Sequence, residues 1–233
     1  MASVSNVLCE SSKVEGIAGY SPEGLTNGDK SDLLQELFNS VRFGIKNQVS
    51  MLLTTYPELV DLTDNKGFSC VHWAAKKGDT EMLQILADSG ASLNQPTASE
   101  SKMQPIHWAA SDGKISSLAF LIEKRQDINA QDANGCTPVV IAAQHNQLHC
   151  VVYLIKNGAD TTLRDTNGDT VLHWAAYKGF MRIVGVITYL LPHELDSEDT
   201  FGQVCFIQFT NVQSALSYAI AMLSFYGSNS SGR

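Results

Sequence analysis

The sequence predicts an all-α solenoid of about five stacked helix-turn-helix units joined by short β-hairpin-like turns, and three regularities predict it. The first is a string that recurs as Val71-His72-Trp73-Ala74-Ala75, Ile106-His107-Trp108-Ala109-Ala110, Val139-Val140-Ile141-Ala142-Ala143 and Leu172-His173-Trp174-Ala175-Ala176. Successive copies are 35, 33 and 33 residues apart, which is a structural period and not an accident of composition. The second is a chain-reversing residue after each string: Gly78, Gly113, Asn146 and Gly179. Glycine enters the left-handed backbone region without a Cβ penalty, and Asn is the next most tolerant residue there. The third is turn chemistry before the strings, with Asp132, Gly135, Thr137 and Pro138 opening one unit and Asp165, Gly168 and Thr170 the next. Units of this kind cannot bury their apolar faces alone. They stack, and a stack presents surface without by itself building a catalytic pocket.

The first unit is degenerate but legible. Leu33, Leu34, Leu37 and Phe38 carry helical spacing, Gly44 precedes Gly78 by 34 residues, and Val49, Leu52 and Leu53 mark a second helix before Pro57, Leu59 and Val60. The units then run over 32–64, 65–98, 99–132, 133–165 and 166–199, above the three or so that a self-supporting stack needs. Ala pairs stand where helices must approach closely. The turn of the third unit is two residues longer than its fellows, and its polar run Asn94 to Ser101 is expected to form an exposed tip. In the fourth unit Val140 replaces the motif His. In the fifth, Val171 replaces Pro, Leu191-Pro192-His193-Glu194 replaces the usual ending, and Gly185 inside the last regular helix costs on the order of 1 kcal/mol relative to Ala. The C-terminal layer is expected to be the weakest.

A Gly-containing turn, a string like Thr-Pro-Leu-His-x-Ala-Ala, a Gly, a second helix and a closing Gly158-Ala159-Asp160 together resemble the ankyrin repeat. The resemblance implies an ankyrin-repeat domain over 31–203. Residues 1–30, rich in Ser and Gly and without a basic start followed by an apolar run, are expected to be a disordered leader. Beyond Gln203 the pattern breaks into Val204-Cys205-Phe206-Ile207-Gln208-Phe209, and residues 204–233 form a divergent apolar tail. Three readings stand: an aberrant last unit whose helix from about Ser214 to Tyr226 caps the stack, a membrane-spanning helix, or a foreign tail from truncation or splicing. Polar Gln208, Thr210, Asn211, Gln213 and Ser214 weigh against the bilayer.

Net charge is −8, which disfavours nucleic acid and anionic membranes, since both are bound mainly through clustered Lys and Arg. Hydrophobic residues make up 44% of the chain, enough for one continuous core. The five cysteines, Cys9, Cys70, Cys136, Cys150 and Cys205, are scattered and odd in number, and read as reduced thiols of a cytoplasmic protein. No phosphate loop, nucleophile elbow or Cys-His pair is visible. The chain is expected to need no cofactor, to bind no metal and to act as a monomer.

His72, His107 and His173 recur, but the expected role is to brace each turn by hydrogen bonds to local partners. His145 and His149 are four apart beside Cys150, a spacing that serves a metal only on an unbroken helix, and Asn146 breaks it. The tryptophans are the sharper feature. Trp73, Trp108 and Trp174 share one slot and, with Ile141, are expected to run as a stripe along the stack. They pack between layers, and their edges are candidates for holding an extended peptide on the concave face. Trp73, Lys77, Trp108, Asp112, Trp174 and Tyr177 are the candidate partner-binding residues.

The repeated His-Trp-Ala-Ala string, above all Leu172-His173-Trp174-Ala175-Ala176-Tyr177-Lys178-Gly179-Phe180, resembles the N-terminal ankyrin array of the Asp-His-His-Cys protein S-acyltransferases. That likeness covers about residues 32–203. It implies a recruiting array on the cytosolic face of the Golgi or another endomembrane, joined to the membrane through the tail or an assembled partner. The chain lacks the Asp-His-His-Cys tetrad and its cysteine-rich domain, so the resemblance is to the recruiting portion without the catalytic half. Against this stand a component of a membrane protein-cysteine S-palmitoyltransferase, active only with an Asp-His-His-Cys membrane domain, and a cytosolic ankyrin scaffold or regulator of another lineage.

Overall fold

The computed structural model describes residues 27–191, with side chains from residue 30. Five helix pairs follow one another: α1 (Asn27–Phe43) with α2 (Lys46–Thr55), α3 (Cys70–Lys77) with α4 (Thr80–Asp88), α5 (Pro105–Ser111) with α6 (Ile115–Glu123), α7 (Pro138–Gln144) with α8 (Leu148–Lys156), and α9 (Val171–Tyr177) with α10 (Met181–Leu190). A single 3-10 turn, Pro57–Leu59, follows α2. The odd-numbered helices stack on one another as an inner row and the even-numbered ones as an outer row. This is the all-α repeat solenoid that the period predicts. No helix among the described residues is long and apolar enough to cross a membrane. The tail expected over 204–233 and most of the leader expected over 1–30 lie outside the described residues.

Local sequence sets the length of each inner helix. Pro105 and Pro138 occupy first turns, where a missing N–H costs nothing. The helices stop at the reversal residues: φ is 83° at Gly78, 71° at Gly113 and 71° at Gly179. Asn146 adopts φ 57° in the same place, so the substitution read from the sequence keeps the left-handed turn. Ala74, Ala75, Ala109, Ala110, Ala142, Ala143 and Ala175 are wholly buried where inner helices meet, and a larger side chain would part the layers. Outer helices close the core with Leu83 and Leu86, Leu118 and Leu121, Val151 and Leu154, and Ile183 and Ile187, all buried.

The turns between units are short hairpins built on an Asp. Asp64 Oδ1 accepts the N–H groups of Lys66 and Phe68, Asp132 Oδ1 those of Asn134 and Cys136, and Asp165 Oδ1 those of Asn167 and Asp169. Across the first of these turns Thr63 and Ser69 form an antiparallel bridge. Turn tips then join in a relay from unit to unit. The Ala98 N–H donates to the Gly67 carbonyl, Ala133 to Ser101, and Thr166 to Asn134, each at 2.9 Å. The expected tip at Asn94 to Ser101 is exposed at Asn94, Pro96, Ala98 and Glu100 but turned inward at Thr97. Thr97 is buried, its N–H donates to the Met103 carbonyl at 2.8 Å, and the Thr97, Ser99 and Ser101 hydroxyls form a chain at 2.9 Å. The two extra residues are absorbed because their hydroxyls satisfy one another.

The motif histidines of the second and third units tie each of these to the next. His72 Nδ1 accepts the Ser69 N–H at 3.2 Å, with the Ser69 hydroxyl at 2.8 Å, so the proton sits on Nε2 and is donated to the Met103 carbonyl at 3.1 Å. His107 Nδ1 accepts the Gln104 N–H, and its Nε2 faces the Ala130 and Cys136 carbonyls at 3.0 and 3.2 Å. His173 repeats the inner half of the arrangement with Thr170. In the fourth unit Val140 holds the slot, and the Thr137 hydroxyl is left buried without a partner. Val140→His should restore the bond and raise stability by about 1 kcal/mol. Thermal unfolding checks this, and a melting temperature equal to or below the parent's would count against it.

Candidate functional site

The indole slot lies one residue past the bracing His on the inner helix, about 100° further round. One side of each ring therefore packs on the core and the other does not, and Trp73, Trp108 and Trp174 are all half-buried. The turn Asp that organises the hairpin with Oδ1 also holds the indole with Oδ2. Trp73 Nε1–H donates to Asp64 Oδ2 at 3.2 Å, and Trp174 Nε1–H to Asp165 Oδ2 at 2.8 Å. In the third unit Ser99 stands where that Asp would be. The Trp108 ring is held instead among Phe68 (4.6 Å between centroids), His72 (5.6 Å) and Trp73 (5.7 Å), all edge-on.

Cations from one unit lie over the indole of the next. The Arg42 guanidinium carbon is 4.0 Å from the centre of the Trp73 ring, with one of its nitrogens 3.6 Å from Asp64 Oδ2. Lys76 Nζ lies 5.1 Å from the centre of the Trp108 ring and 3.7 Å from Asp112 Oδ2. Such contacts are worth about 0.5–1 kcal/mol where exposed and more where dry. The candidates thus fall into two groups. Trp73, Trp108 and Asp112 meet around Arg42 and Lys76, while Lys77 stands at the edge with its ammonium donating to the Arg42 carbonyl at 2.7 Å. Trp174 and the exposed Tyr177 form a second patch, edge-on at 6.1 Å. The stripe expected to pass through Ile141 is interrupted there. An aliphatic side chain has no N–H for Asp132, whose Oδ2 is buried without a partner.

Arg42, Asp64, Asp165 and Phe68 escaped the selection of site residues from sequence. A signal existed for the two acids, because Asp64 and Asp165 each precede a Trp by nine residues. The buried imidazoles and thiols among the described residues are held toward their neutral forms. Burial lowers His72 to about 4 and lowers His107 as well, so both rings are neutral at pH 7. Burial raises the Cys70 thiol to about 12, Cys136 to about 12 with help from the Asp132 charge, and Cys150 to about 11. His145 caps α7 and His149 lies on α8, so the reversal at Asn146 places them on different helices. Among the described residues no three His, Cys, Asp or Glu side chains stand ready to hold a metal ion.

A stack of paired helices with Asp-held turns, offering half-buried aromatics framed by charge, is suited to binding protein, and comparison with known sequences agrees. The sequence model of ankyrin repeats (3 copies) matches residues 27–132, 106–200 and 139–224. Ankyrin repeat domain-containing protein 53 of Macaca fascicularis is 31% identical over 85 residues, 35% of this chain and 17% of that protein. Its Homo sapiens counterpart is 32% identical over 85 residues, 35% of this chain and 16% of the relative. The chain therefore matches less than a fifth of the length of either relative, and the likeness to them concerns the repeats alone. With the family's sequence model running through nearly the whole array and its helix pairs stacked at the family's period, the chain belongs to the ankyrin-repeat family.

Proposed function

We propose that this chain is a noncatalytic module that binds an extended segment of a partner protein across its concave, inner-helix face. The observation that supports it best is the Trp73–Trp108 pair, two half-buried rings 5.7 Å apart with Arg42, Lys76 and Asp112 at their margin. Aromatic and Arg side chains at the centre of such a patch are the usual anchors of an interface. Lys77 lies beside them, and Trp174 and Tyr177 extend the track by two units. The binding body is the array of residues 31–203, with 1–30 as a leader and 204–233 as a divergent tail, and it works as a monomer without nucleic acid.

Because Trp108 touches Phe68, His72 and Trp73, truncation to Ala would cost packing as well as contact. Trp108→Phe keeps a ring in the slot and separates the two. Peptides selected from a random library on the full chain should lose at least about tenfold in affinity on Trp108→Phe, a change of about 1.4 kcal/mol, while the melting profile stays near the parent's. Peptides that bind both proteins alike would move the site elsewhere, and a comparable loss of stability would mean that the ring only packs.

The narrower setting we infer is the recruiting region of a protein palmitoyltransferase-like chain without its catalytic half, in the cytoplasm or on the cytosolic face of the Golgi or another endomembrane. The repeated His-Trp-Ala-Ala string supports this. An ankyrin scaffold or regulator of separate lineage is the second reading, and the relatives matched are named for their ankyrin repeats. Incubation with palmitoyl-CoA bears on the catalytic question, since self-acylation of a cysteine by this chain alone would overturn the noncatalytic reading.

A further inference from the structure

The interruption at Ile141 leaves more than a missing ring. Between the turns of the fourth and fifth units lies a cleft of about 340 Å³, lined among others by Asp132, Cys136, Ile141, Gln144, Asp165 and Trp174. Two acids line it and no Lys or Arg does, although Lys178 Nζ of the same unit lies 6.0 Å from the centre of the Trp174 ring. Asp165 is fully engaged, by backbone N–H groups on Oδ1 and by Trp174 on Oδ2. Asp132 is not: Oδ1 takes the Asn134 and Cys136 N–H groups at 2.9 and 2.8 Å, while Oδ2 has no donor in a residue that is 7% exposed. A buried carboxylate oxygen without a donor has lost its hydration uncompensated, a loss that a suitable ligand group can recover.

The preceding units show what kind of group fits. At Trp73 and Trp108 the chain supplies its own cation from the unit before, Arg42 and Lys76, two residues ahead of Gly44 and Gly78. Two residues ahead of Asn146 that position is Gln144, which is neutral, and the one side-chain hydrogen bond it makes is a weak one to Cys136 Sγ at 3.6 Å. Two residues ahead of Gly113 it is Ser111, also neutral. Arg42 illustrates the complete arrangement, a planar guanidinium lying on an indole and reaching the carboxylate oxygen beside it. The cleft at Asp132 and Trp174 holds the indole and the acid and lacks the guanidinium.

Resting on the concave-face reading, we propose that this cleft receives an arginine side chain of the bound segment, its guanidinium stacked on Trp174 and donating to Asp132 Oδ2. Gln144 swings aside to admit it. An ammonium fits less well, because a single point charge spans ring and carboxylate at longer range, 5.1 and 3.7 Å for Lys76 against 4.0 and 3.6 Å for the planar Arg42. The pairing gives the track a second specificity point, two units beyond the Trp73–Trp108 anchor.

The test uses the full chain, labelled for NMR, and three blocked pentapeptides, Gly-Gly-X-Gly-Gly, with X arginine, lysine or the neutral isostere citrulline. The chain's three indole N–H signals and the Ile141 methyls report position. Arginine should shift Trp174 and Ile141 saturably, with citrulline weaker by at least about tenfold and lysine between them. Asp132→Asn should bring arginine and citrulline to equal affinity. Ile141→Trp should abolish the response by filling the slot with the chain's own indole, and it serves even where Asp132→Asn disturbs the turn. Equal binding of arginine and citrulline by the parent, unchanged binding by Ile141→Trp, or silence at Trp174 overturns the proposal. Shifts confined to Trp73 and Trp108 would remove the cleft and leave the concave-face reading standing, whereas failure of that reading shows in the Trp108→Phe experiment.

Discussion

Acidification from pH 6.5 to about 4 should remove about 3 kcal/mol of folding stability through His72 alone, with His107 adding to the loss. The unfolded imidazole titrates near 6.5, while burial holds folded His72 near 4, so between these values the unfolded chain binds more protons and stability rises with pH. The contribution is complete above 6.5 and is lost as pH falls through the folded value. Structure supplies the cause: both rings are fully buried, each accepts a backbone N–H on Nδ1, and a second proton would have nowhere to go. Urea unfolding at pH 7.0, 6.0 and 5.5 measures the onset of the loss, in a range above that where ordinary carboxylates titrate. The slope should flatten in His72→Gln. A parent protein of constant stability across that range would show that the rings can charge without opening the stack.

Gly135→Ala should destabilise the protein by about 2–3 kcal/mol. The residue sits at φ 76°, and an added Cβ would stand 3.1 Å from the Asp165 Cα, 3.2 Å from the Thr166 nitrogen and 3.3 Å from the Asp165 carbonyl carbon. All three are backbone atoms that cannot step aside without loosening the Thr166 to Asn134 bond beside them. Gly158→Ala is the control. Gly158 has φ 88° but nothing within 4 Å of an added Cβ, so its cost should stay near the ~1 kcal/mol of backbone strain. Denaturant midpoints of the two variants give the difference, and equal losses would mean that the tip-to-tip approach contributes nothing.

The stack was readable because a period depends on few residues. Gly78, Gly113 and Gly179 mark the reversals, Asn146 substitutes without changing the conformation, and the Ala pairs give the spacing of the layers. The candidate site was less so. Placing Trp73, Trp108 and Trp174 on one face needs only the repeat. Whether the face is continuous depends on what Ile141 leaves behind, and the orphaned oxygen of Asp132 becomes visible only when Asp and Trp are seen paired elsewhere. Arg42 over Trp73 and Lys76 over Trp108 cross from one unit to the next, so their pairing depends on how the layers sit and not on any local pattern. The inward turn at Thr97 escaped for a different reason: polar composition looks like solvent exposure, which holds for Asn94, Pro96 and Glu100 but not for Thr97, whose hydroxyl is bonded to that of Ser99.

The imidazole links also give the column a direction. His72 and His107 each receive a donor from their own layer and turn their remaining proton toward a carbonyl of the following layer, Met103 for His72 and Cys136 for His107, which also faces Ala130 of its own. In these imidazole links a layer leans on its successor. Shortening such a column from the rear strands a polar hydrogen in the dry interior, whereas shortening it from the front strands none of these, so its two ends are chemically unlike. Growth by adding layers is accordingly easier to accommodate behind an imidazole than ahead of one.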